Sequence, residues 1–343
     1  MTPFAVDLPE DAWTDAVAAL RGARDAVLAC HVAPDGDALG SMLALARVLR
    51  AAGVATTCTW GDERWAVPPS YTWLPDLDTV VNPRTVEGQP SLLVVLDTSS
   101  RDRLGVLRDL PERAAQVIVI DHHAHSGEDE RSHLPGLHLV DPAAAATAVV
   151  VEELLRRLEA PVDATTATLL YVGLVTDTGS FQHAVTTPDV HAVAGRLLEA
   201  GARPDVVAQH LWGTRPFGFQ QVLGNALVRA TLDGEAAAGR GVVWTVVSQE
   251  DLTRSGLAID DVESVIDIVR SAREADVAVV LKEDVDGTFR VSTRSRGATD
   301  VGSACAALGG GGHRLAAGFT AYDDVDTTMR SLLAALADAP PPG

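Results

Sequence analysis

Carboxylates and imidazoles recur in four separated clusters of this chain: His31-Val-Ala-Pro-Asp35-Gly-Asp37, Asp97, Asp121-His122-His123 and Asp177. Carboxylate oxygens and imidazole nitrogens are donors for divalent cations. Gathered in one pocket, this many donors would hold two ions, the arrangement suited to hydrolysing a phosphate ester. Each cluster also has a plainer reading. The Asp35-Gly-Asp37 turn could simply cap the next helix, since Asp is a favoured cap. Asp97 and Asp177 could be turn residues, and Asp121-His122-His123 could open a His-rich surface loop running to His125 and His133. The combination argues for chemistry, because every cluster follows an apolar run: Ala26–Cys30, Leu92–Leu96, Val117–Ile120 and Leu169–Val175. A charge at the end of such a run is costly unless it is paired or bound to metal.

The elements that would position these residues follow from the same runs. The first three are short and rich in Val, Ile and Leu, as buried parallel strands are. In an open α/β sheet the carboxyl ends of the strands face one crevice, where ligands bind. The pattern predicts a helix over Pro9–Gly22 and a strand at Ala26–His31. A helix is expected from Ala38 to Ala52, stopped by Gly53, then strands at Thr56–Trp60, Ser91–Asp97, Gln116–Asp121 and His138–Val140. Residues 61–90 read as loops around a short helix. Ala143–Leu158 and Ala164–Thr176 read as helices, and Thr187–Ala200 and Pro204–Trp212 as connecting helices. This is an α/β fold with a doubly wound, mainly parallel sheet.

Beyond Gly224 the texture changes to a smaller α+β domain. Ala226–Leu232 and Gly241–Val247 read as strands and Val262–Ile268 as a helix. Val277–Glu283 and Thr288–Arg294 form a hairpin around Asp286-Gly287. After a short helix at Val301–Ala307 comes Gly309-Gly310-Gly311-Gly312-His313-Arg314. Consecutive glycines let backbone N–H groups approach an anion closely, and His313 with an arginine could neutralise phosphate oxygens. The run lacks the Lys-Ser/Thr of a Walker loop, and its plainer reading is a flexible linker. Arg294 and Arg296, at the end of the hairpin, could add phosphate contacts, although a solvated basic turn serves equally for Arg296. The expected domains are therefore 9–186 and 224–338, joined by a helical connector over 187–223. A Pro-rich disordered tail is expected over Ala339–Gly343.

Composition narrows the function. The 343 residues suffice for two cores. A net charge of −20 repels long polyanions, so any phosphate substrate should be small. Lys282 is the only lysine. Cys30, Cys58 and Cys305 have no metal-motif spacing and read as buried free thiols. No apolar run is long enough to span a bilayer, and Met1–Glu10 lacks a basic n-region. These features set the expectation of a cytoplasmic protein without membrane contact.

The order His-x-x-x-Asp-x-Asp, Asp, Asp-His-His, Asp and Gly-Gly-Gly-His-x-x-Ala-Ala-Gly resembles the DHH/DHHA1 phosphoesterase family over Ala26 to Phe319. The length resembles its stand-alone NrnA-like subgroup, the bifunctional oligoribonucleases and pAp phosphatases. The resemblance implies a two-metal DHH domain, a DHHA1 substrate-binding domain and an active site in the cleft between them. It implies one Mn2+ on His31, Asp35 and Asp97, and a second on Asp37, Asp97, His122 and Asp177, with Asp97 bridging; Mg2+ is the alternative. It places His123 beside the scissile phosphate, as proton donor or phosphate ligand, and gives substrate contacts to Arg294, Gly310, Gly311, Gly312 and His313. Expected substrates are short oligoribonucleotides, linear pApA, cyclic di-adenylate and 3′-phosphoadenosine 5′-phosphate, and a homodimer is favoured. Two other readings compete. A family II inorganic pyrophosphatase would share the N-terminal motifs but carry a lysine-rich cluster absent here, and a nucleotide sensor would bind without hydrolysis.

Overall fold

The computed structural model describes residues 6–123 and 133–339. The Pro-rich tail from residue 340 onward and the His-rich stretch around His125 lie outside the described residues. The chain divides into two compact units, Met1–Gly213 and Thr214–Gly343, and the division falls within the segment expected as a connector.

The first unit runs α1 (Glu10–Gly22), β1 (Asp25–Cys30), α2 (Gly36–Ala51), β2 (Ala55–Trp60), β3 (Leu92–Leu96), β4 (Val117–Asp121), β5 (Leu137–Val140), α3 (Thr147–Arg157), α4 (Ala164–Asp177), α5 (Pro188–Glu199) and α6 (Pro204–Ala208). Its five strands are all parallel, in the order β2-β1-β3-β4-β5. Chain order therefore reverses at the β1–β3 boundary, where ligand crevices form in such sheets. The sheet is buried on both faces. Leu28 and Cys30 point into one apolar cluster and Val27 and Ala29 into the other, which is why the strands read as continuous apolar runs.

Register fixes the level at which the motifs leave the sheet. Cys30 lies opposite Leu96, and Leu96 opposite Ile120. The next residues, His31, Asp97 and Asp121, thus emerge side by side. Below them α2 packs directly on α4. The close approach needs glycine: a Cβ on Gly40 would lie 2.3 Å from the Leu169 carbonyl oxygen, and one on Gly173 would lie 2.5 Å from Asp37 Oδ1. This contact sets Asp37, at the start of α2, near Asp177, at the end of α4.

The second unit contains α7 (Phe217–Arg229), β6 (Thr231–Asp233), a short turn α8 (Ala236–Gly239), β7 (Val242–Val247), α9 (Gln249–Ser255), α10 (Val265–Val269), β8 (Val277–Glu283), β9 (Phe289–Ser295), α11 (Val301–Ala307), β10 (Gly311–His313), β11 (Ala316–Ala321) and α12 (Val325–Asp338). Its mixed sheet has the order β10-β11-β9-β8-β7-β6, with only β7 and β8 parallel. Val277, Val279 and Leu281 face α11 and α12, whereas Ala278 and Val280 face α7 and α10.

Three expectations need correction. Ala226–Leu232 is a strand only at its end: α7 continues to Arg229, because Phe219, Val222 and Ala226 recur at helical spacing on its buried side, and β6 begins at Thr231. The helix expected from Ala143 begins only at Thr147, where a remote carboxylate supplies its cap. The glycine run is not a flexible linker throughout: Gly309 lies in a turn, and Gly311–His313 pairs with β11 as an edge strand. All three cysteines are free and buried.

Candidate functional site

The carboxyl ends of β1, β3 and β4, the start of α2 and the end of α4 bring His31, Asp35, Asp37, Asp97, His122, His123 and Asp177 together. Their donor atoms form three overlapping sets, each within 4.8 Å: His31, Asp35 and Asp97; Asp37, His122 and Asp177; and Asp97, His122 and His123. Asp97 belongs to two sets, and so does His122.

Each donor is oriented by a specific neighbour. Asp35 caps α2, its Oδ1 accepting from the backbone N–H groups of Asp37 and Ala38 at 3.1 Å. Asp37 is fully buried and accepts from Ser41 Oγ and from the amides of Thr147 and Ala148. Those two amides are unpaired donors at the start of α3, whose own cap residue, Ala146, has no side-chain bond to offer. Asp37 thus caps α3 from 110 residues away, and this is why α3 begins at Thr147. Asp97 sits at φ 62°, a left-handed conformation, costing on the order of 1 kcal/mol for a residue with a Cβ. Its amide donates to the Ile120 carbonyl and its Oδ1 accepts from Thr147 Oγ1 at 2.8 Å. Strain retained at the centre of a donor cluster is a functional signature.

The histidines share a logic. His31 Nδ1 lies 2.8 Å from the Val32 carbonyl oxygen, and His122 Nδ1 lies 3.3 Å from that of Ala144. A carbonyl only accepts, so each Nδ1 carries the hydrogen and each Nε2 is turned toward the carboxylates, the orientation of metal-bound imidazole. His31 Nε2 is 3.3 Å from Asp97 and 3.9 Å from Asp35. His122 Nε2 is 3.0, 3.6 and 3.9 Å from the carboxylates of Asp177, Asp97 and Asp37. Although surrounded by oxygens, this buried nitrogen has no hydrogen-bond partner. A buried imidazole nitrogen facing three carboxylates with no hydrogen bond fits a divalent cation, which would take the place of its proton.

Charge tells the same story. The ion-pair partners of these carboxylates are the imidazoles themselves. Burial, with the charges of Asp97 and Asp177, pushes Asp37 well above the usual carboxylate range, and burial also raises Asp35. Burial opposes a charge on His122, yet Asp177, then Asp37 and Asp97, push it up to about 10. His31 is raised the same way, Asp97 and Asp35 outweighing burial. Donors this rich in negative charge bind protons tightly and would bind a cation in their place.

Asp121 plays a different part from the other aspartates. It accepts from Ser99 Oγ at 2.7 Å, from the amides of His122 and His123, and from His123 Nδ1 at 2.7 Å. Burial would raise its pKa, but pairing with His123 dominates and lowers it. The same pairing raises His123, whose Nδ1 is thereby occupied and unsuited to hold an ion. Asp121 thus orients His123. Thr147 and Ser41 support the donors and Ser99 supports Asp121; no local motif marks them.

In the second unit, His313, Ala316 and Arg294 are directly opposite one another across β10, β11 and β9. They share one sheet face, with His313 and Arg294 about 10 Å apart across two strand spacings. Arg294 donates to the Thr293 carbonyl at 3.0 Å. Arg296 donates to the carbonyls of Ala272 and Arg273, anchoring the segment after α10. Gly310 and Gly312 have a packing reason to lack a Cβ, which would lie 2.2 Å from the Gly318 oxygen and 2.6 Å from the Ala316 oxygen respectively. Gly311 has none, since nothing lies within 4 Å.

Comparison with known proteins agrees with this layout. The model of the DHH family, N-terminal domain, matches residues 26–174, and the DHHA1 domain model matches residues 242–339. The bifunctional oligoribonuclease and PAP phosphatase NrnA of Thermus thermophilus is 35% identical over 90% of this chain and 88% of its own length. The protein of the same name from Bacillus subtilis is 28% identical over 89% and 93%. Among solved structures, an exopolyphosphatase-related protein from Bacteroides fragilis superposes with a TM-score of 0.87 at 21% identity, covering 96% of each chain. RecJ of Thermus thermophilus in complex with Mn2+ gives 0.55 at 18% identity, over 99% of this chain and 57% of that one. No helix among the described residues is long and apolar enough to cross a membrane. With both domain models matched in order and a relative this similar along nearly its whole length, the chain belongs to the DHH/DHHA1 phosphoesterase family.

Proposed function

We propose that this chain is a metal-dependent phosphoesterase that cleaves short oligoribonucleotides, linear pApA included, to mononucleotides and dephosphorylates 3′-phosphoadenosine 5′-phosphate. The observation that carries the reading is the orphaned His122 Nε2 among the carboxylates of Asp37, Asp97 and Asp177. The names of the full-length relatives supply the substrate class. Cyclic di-adenylate is a further substrate to test, because a cyclic-di-AMP phosphodiesterase, GdpP of Geobacillus thermodenitrificans, is 30% identical over 66% of this chain.

His31, Asp35 and Asp97 would hold one divalent ion and Asp37, Asp97, His122 and Asp177 a second, with Mn2+ the first choice. Such ions supply Lewis acidity toward the phosphate and lower the pKa of the attacking water. The chain's own residues do the rest. Asp97 and Asp37, fixed by Thr147 and the start of α3, hold the donor geometry without reorganisation. His123, steadied by Asp121 through Nδ1, delivers a proton from Nε2 to the leaving oxygen. Arg294, His313 and the backbone of Gly310–Gly312 bind substrate phosphate. The net charge of −20 disfavours long polyanions and leaves short ones accessible.

The test is product release from linear pApA, 3′-phosphoadenosine 5′-phosphate, cyclic di-adenylate and pyrophosphate, with Mn2+, Mg2+ or EDTA. Turnover of the first two, lost in EDTA, is expected. Turnover of pyrophosphate alone would replace this reading with a pyrophosphatase. Binding without turnover would make the chain a sensor.

A further inference from the structure

Immediately after Asp177 the backbone turns the wrong way. Gly179, Ser180 and Phe181 have φ of 55°, 58° and 64°, three consecutive left-handed residues, two of which carry a Cβ. The turn is held by the Ser180 amide on the Val175 carbonyl, by the Gln182 and His183 amides on that of Thr178, and by the Phe181 amide on Thr178 Oγ1. Phe181 is further fixed by stacking on His191 at 5.0 Å. A left-handed turn this firmly held has something to position.

What it positions is His183. The turn folds this imidazole back over Gly179, where a Cβ would lie only 2.4 Å from Nε2. Nδ1 sits 2.9 Å from the carbonyl oxygen of Asp177, the residue whose carboxylate faces His122. The carbonyl only accepts, so Nδ1 carries the hydrogen and Nε2 is the ring nitrogen left for a ligand. His31 and His122 have the same arrangement, but their Nε2 atoms join the donor sets, whereas His183 belongs to none of them and is exposed. By ordinary bond lengths, Nε2 lies within about 10 Å of the Asp177 carboxylate. That bound leaves room for the few bonds that separate a phosphate from the 2′-hydroxyl of the ribose carrying it.

A hydroxyl both donates and accepts, so of the groups along a sugar-phosphate chain it is the one suited to this second ring nitrogen. We propose that His183 is a specificity-determining residue that accepts a hydrogen bond from the ribose 2′-hydroxyl adjoining the scissile phosphate. The inference rests on the phosphoesterase reading. It assigns the preference for ribose over deoxyribose, the group by which proteins distinguish RNA from DNA, to one nitrogen outside the metal donors and outside the glycine-His strand.

The experiment compares kcat/KM for linear pApA and its 2′-deoxy counterpart in the wild-type chain and in His183→Asn, His183→Ala and His183→Gln. Asn retains a donor where Nδ1 stood and so keeps the bond to Asp177, but it loses the outer acceptor. Gln places an oxygen near the position of Nε2. One neutral hydrogen bond at an exposed site corresponds to a ribose preference of about 5-fold. That preference should vanish in the Asn and Ala variants and return in part with Gln. A purely structural role for His183 would lower turnover of both substrates together and leave their ratio unmoved, and that result overturns the inference. So does a wild-type chain that hydrolyses both substrates equally, with the phosphoesterase reading intact. A wild-type chain inert toward both, with Mn2+ present, would remove the reading and the inference together.

Discussion

Asp37 and Asp97 of the first unit are almost wholly buried, and hydrogen bonds to Ser41, Thr147 and Ala148 fix their carboxylates. Arg294 and His313 of the second unit stand on a partly open sheet face, set by strand register, with Arg294 bonded to its neighbour's carbonyl. One region is built around charge that the fold cannot neutralise alone. The other spaces longer side chains at fixed intervals and leaves their ends adjustable. The difference teaches where each kind of specificity resides. Rigid, desolvated donors favour a transition state through fixed electrostatics. Exposed side chains on a sheet contribute binding that is similar in the ground and transition states.

The comparison breaks most sharply at Asp97. Asp97→Ala removes the oxygen donor common to two of the three sets and should reduce pApA turnover about 1000-fold or more in Mn2+. Turnover within 10-fold of wild type would show that the buried cluster is not the reaction centre. A second, slightly smaller effect concerns stability in EDTA. The folded values of His31 and His122 stand above the ordinary 6.5, and that of His122 reaches about 10. The folded chain therefore holds these protons more tightly than the unfolded chain. The resulting stabilisation is complete below about pH 6.5 and is lost as pH rises toward 10. Raised Asp35 and Asp37 act in the same direction at lower pH, while the lowered Asp121 opposes them only in acid. Each tenfold difference in proton affinity between the folded and unfolded chain is worth about 1.4 kcal/mol. Urea unfolding in EDTA should thus lose on the order of a few kcal/mol between about pH 6.5 and 9.5. Excess Mn2+ competes for the same donors and should flatten or reverse the slope. A flat profile in EDTA would mean that the cluster is not electrostatically frustrated.

How much of the fold and the site is legible in the sequence depends on whether the cause is local. The strands read correctly because Leu92–Leu96 and Val117–Ile120 are unbroken apolar runs, and the clustering of the carboxylates and imidazoles is legible because charge follows those runs. The supports do not, because their partners are remote. Nothing near Thr147 announces that its amide meets Asp37 and its hydroxyl meets Asp97. Without that remote cap, the alanines before Thr147 look as helical as Thr147–Arg157 itself, so the expected start of α3 falls too early. Asp121 and the donor aspartates are the same residue type at similar strand ends; only three dimensions show Asp121 turned toward Ser99 and His123. Gly309–Gly312 looks like a loop because glycine-rich composition cannot reveal that β11 supplies a pairing edge.

The second unit should respond more mildly. With His313 binding substrate as proposed, His313→Ala should raise KM for pApA about 10-fold while kcat stays within about 3-fold, as expected for uniform binding. An equal fall in kcat would place His313 with the rigid donors and erase the contrast between the units.

The smallest effect is also the sharpest test of why this strand is made of glycine. Gly310 and Gly312 face backbone oxygens at 2.2 and 2.6 Å from where a Cβ would sit, so substitution there perturbs the pairing of β10 with β11 and cannot isolate a ligand contact. Gly311 is different: a Cβ meets nothing within 4 Å, and its φ is not among the positive ones. Within the protein, Gly311→Ala is therefore tolerated, and by restricting the unfolded chain it should change stability by less than about 1 kcal/mol, in the stabilising direction. If the exposed backbone of β10 approaches substrate phosphate, the added methyl group intrudes on that ligand alone. KM for pApA should then rise about 3-fold with no fall in melting temperature. An unchanged KM would mean that glycine serves this strand only in its pairing with β11, leaving His313 and Arg294 as the face's contacts to phosphate.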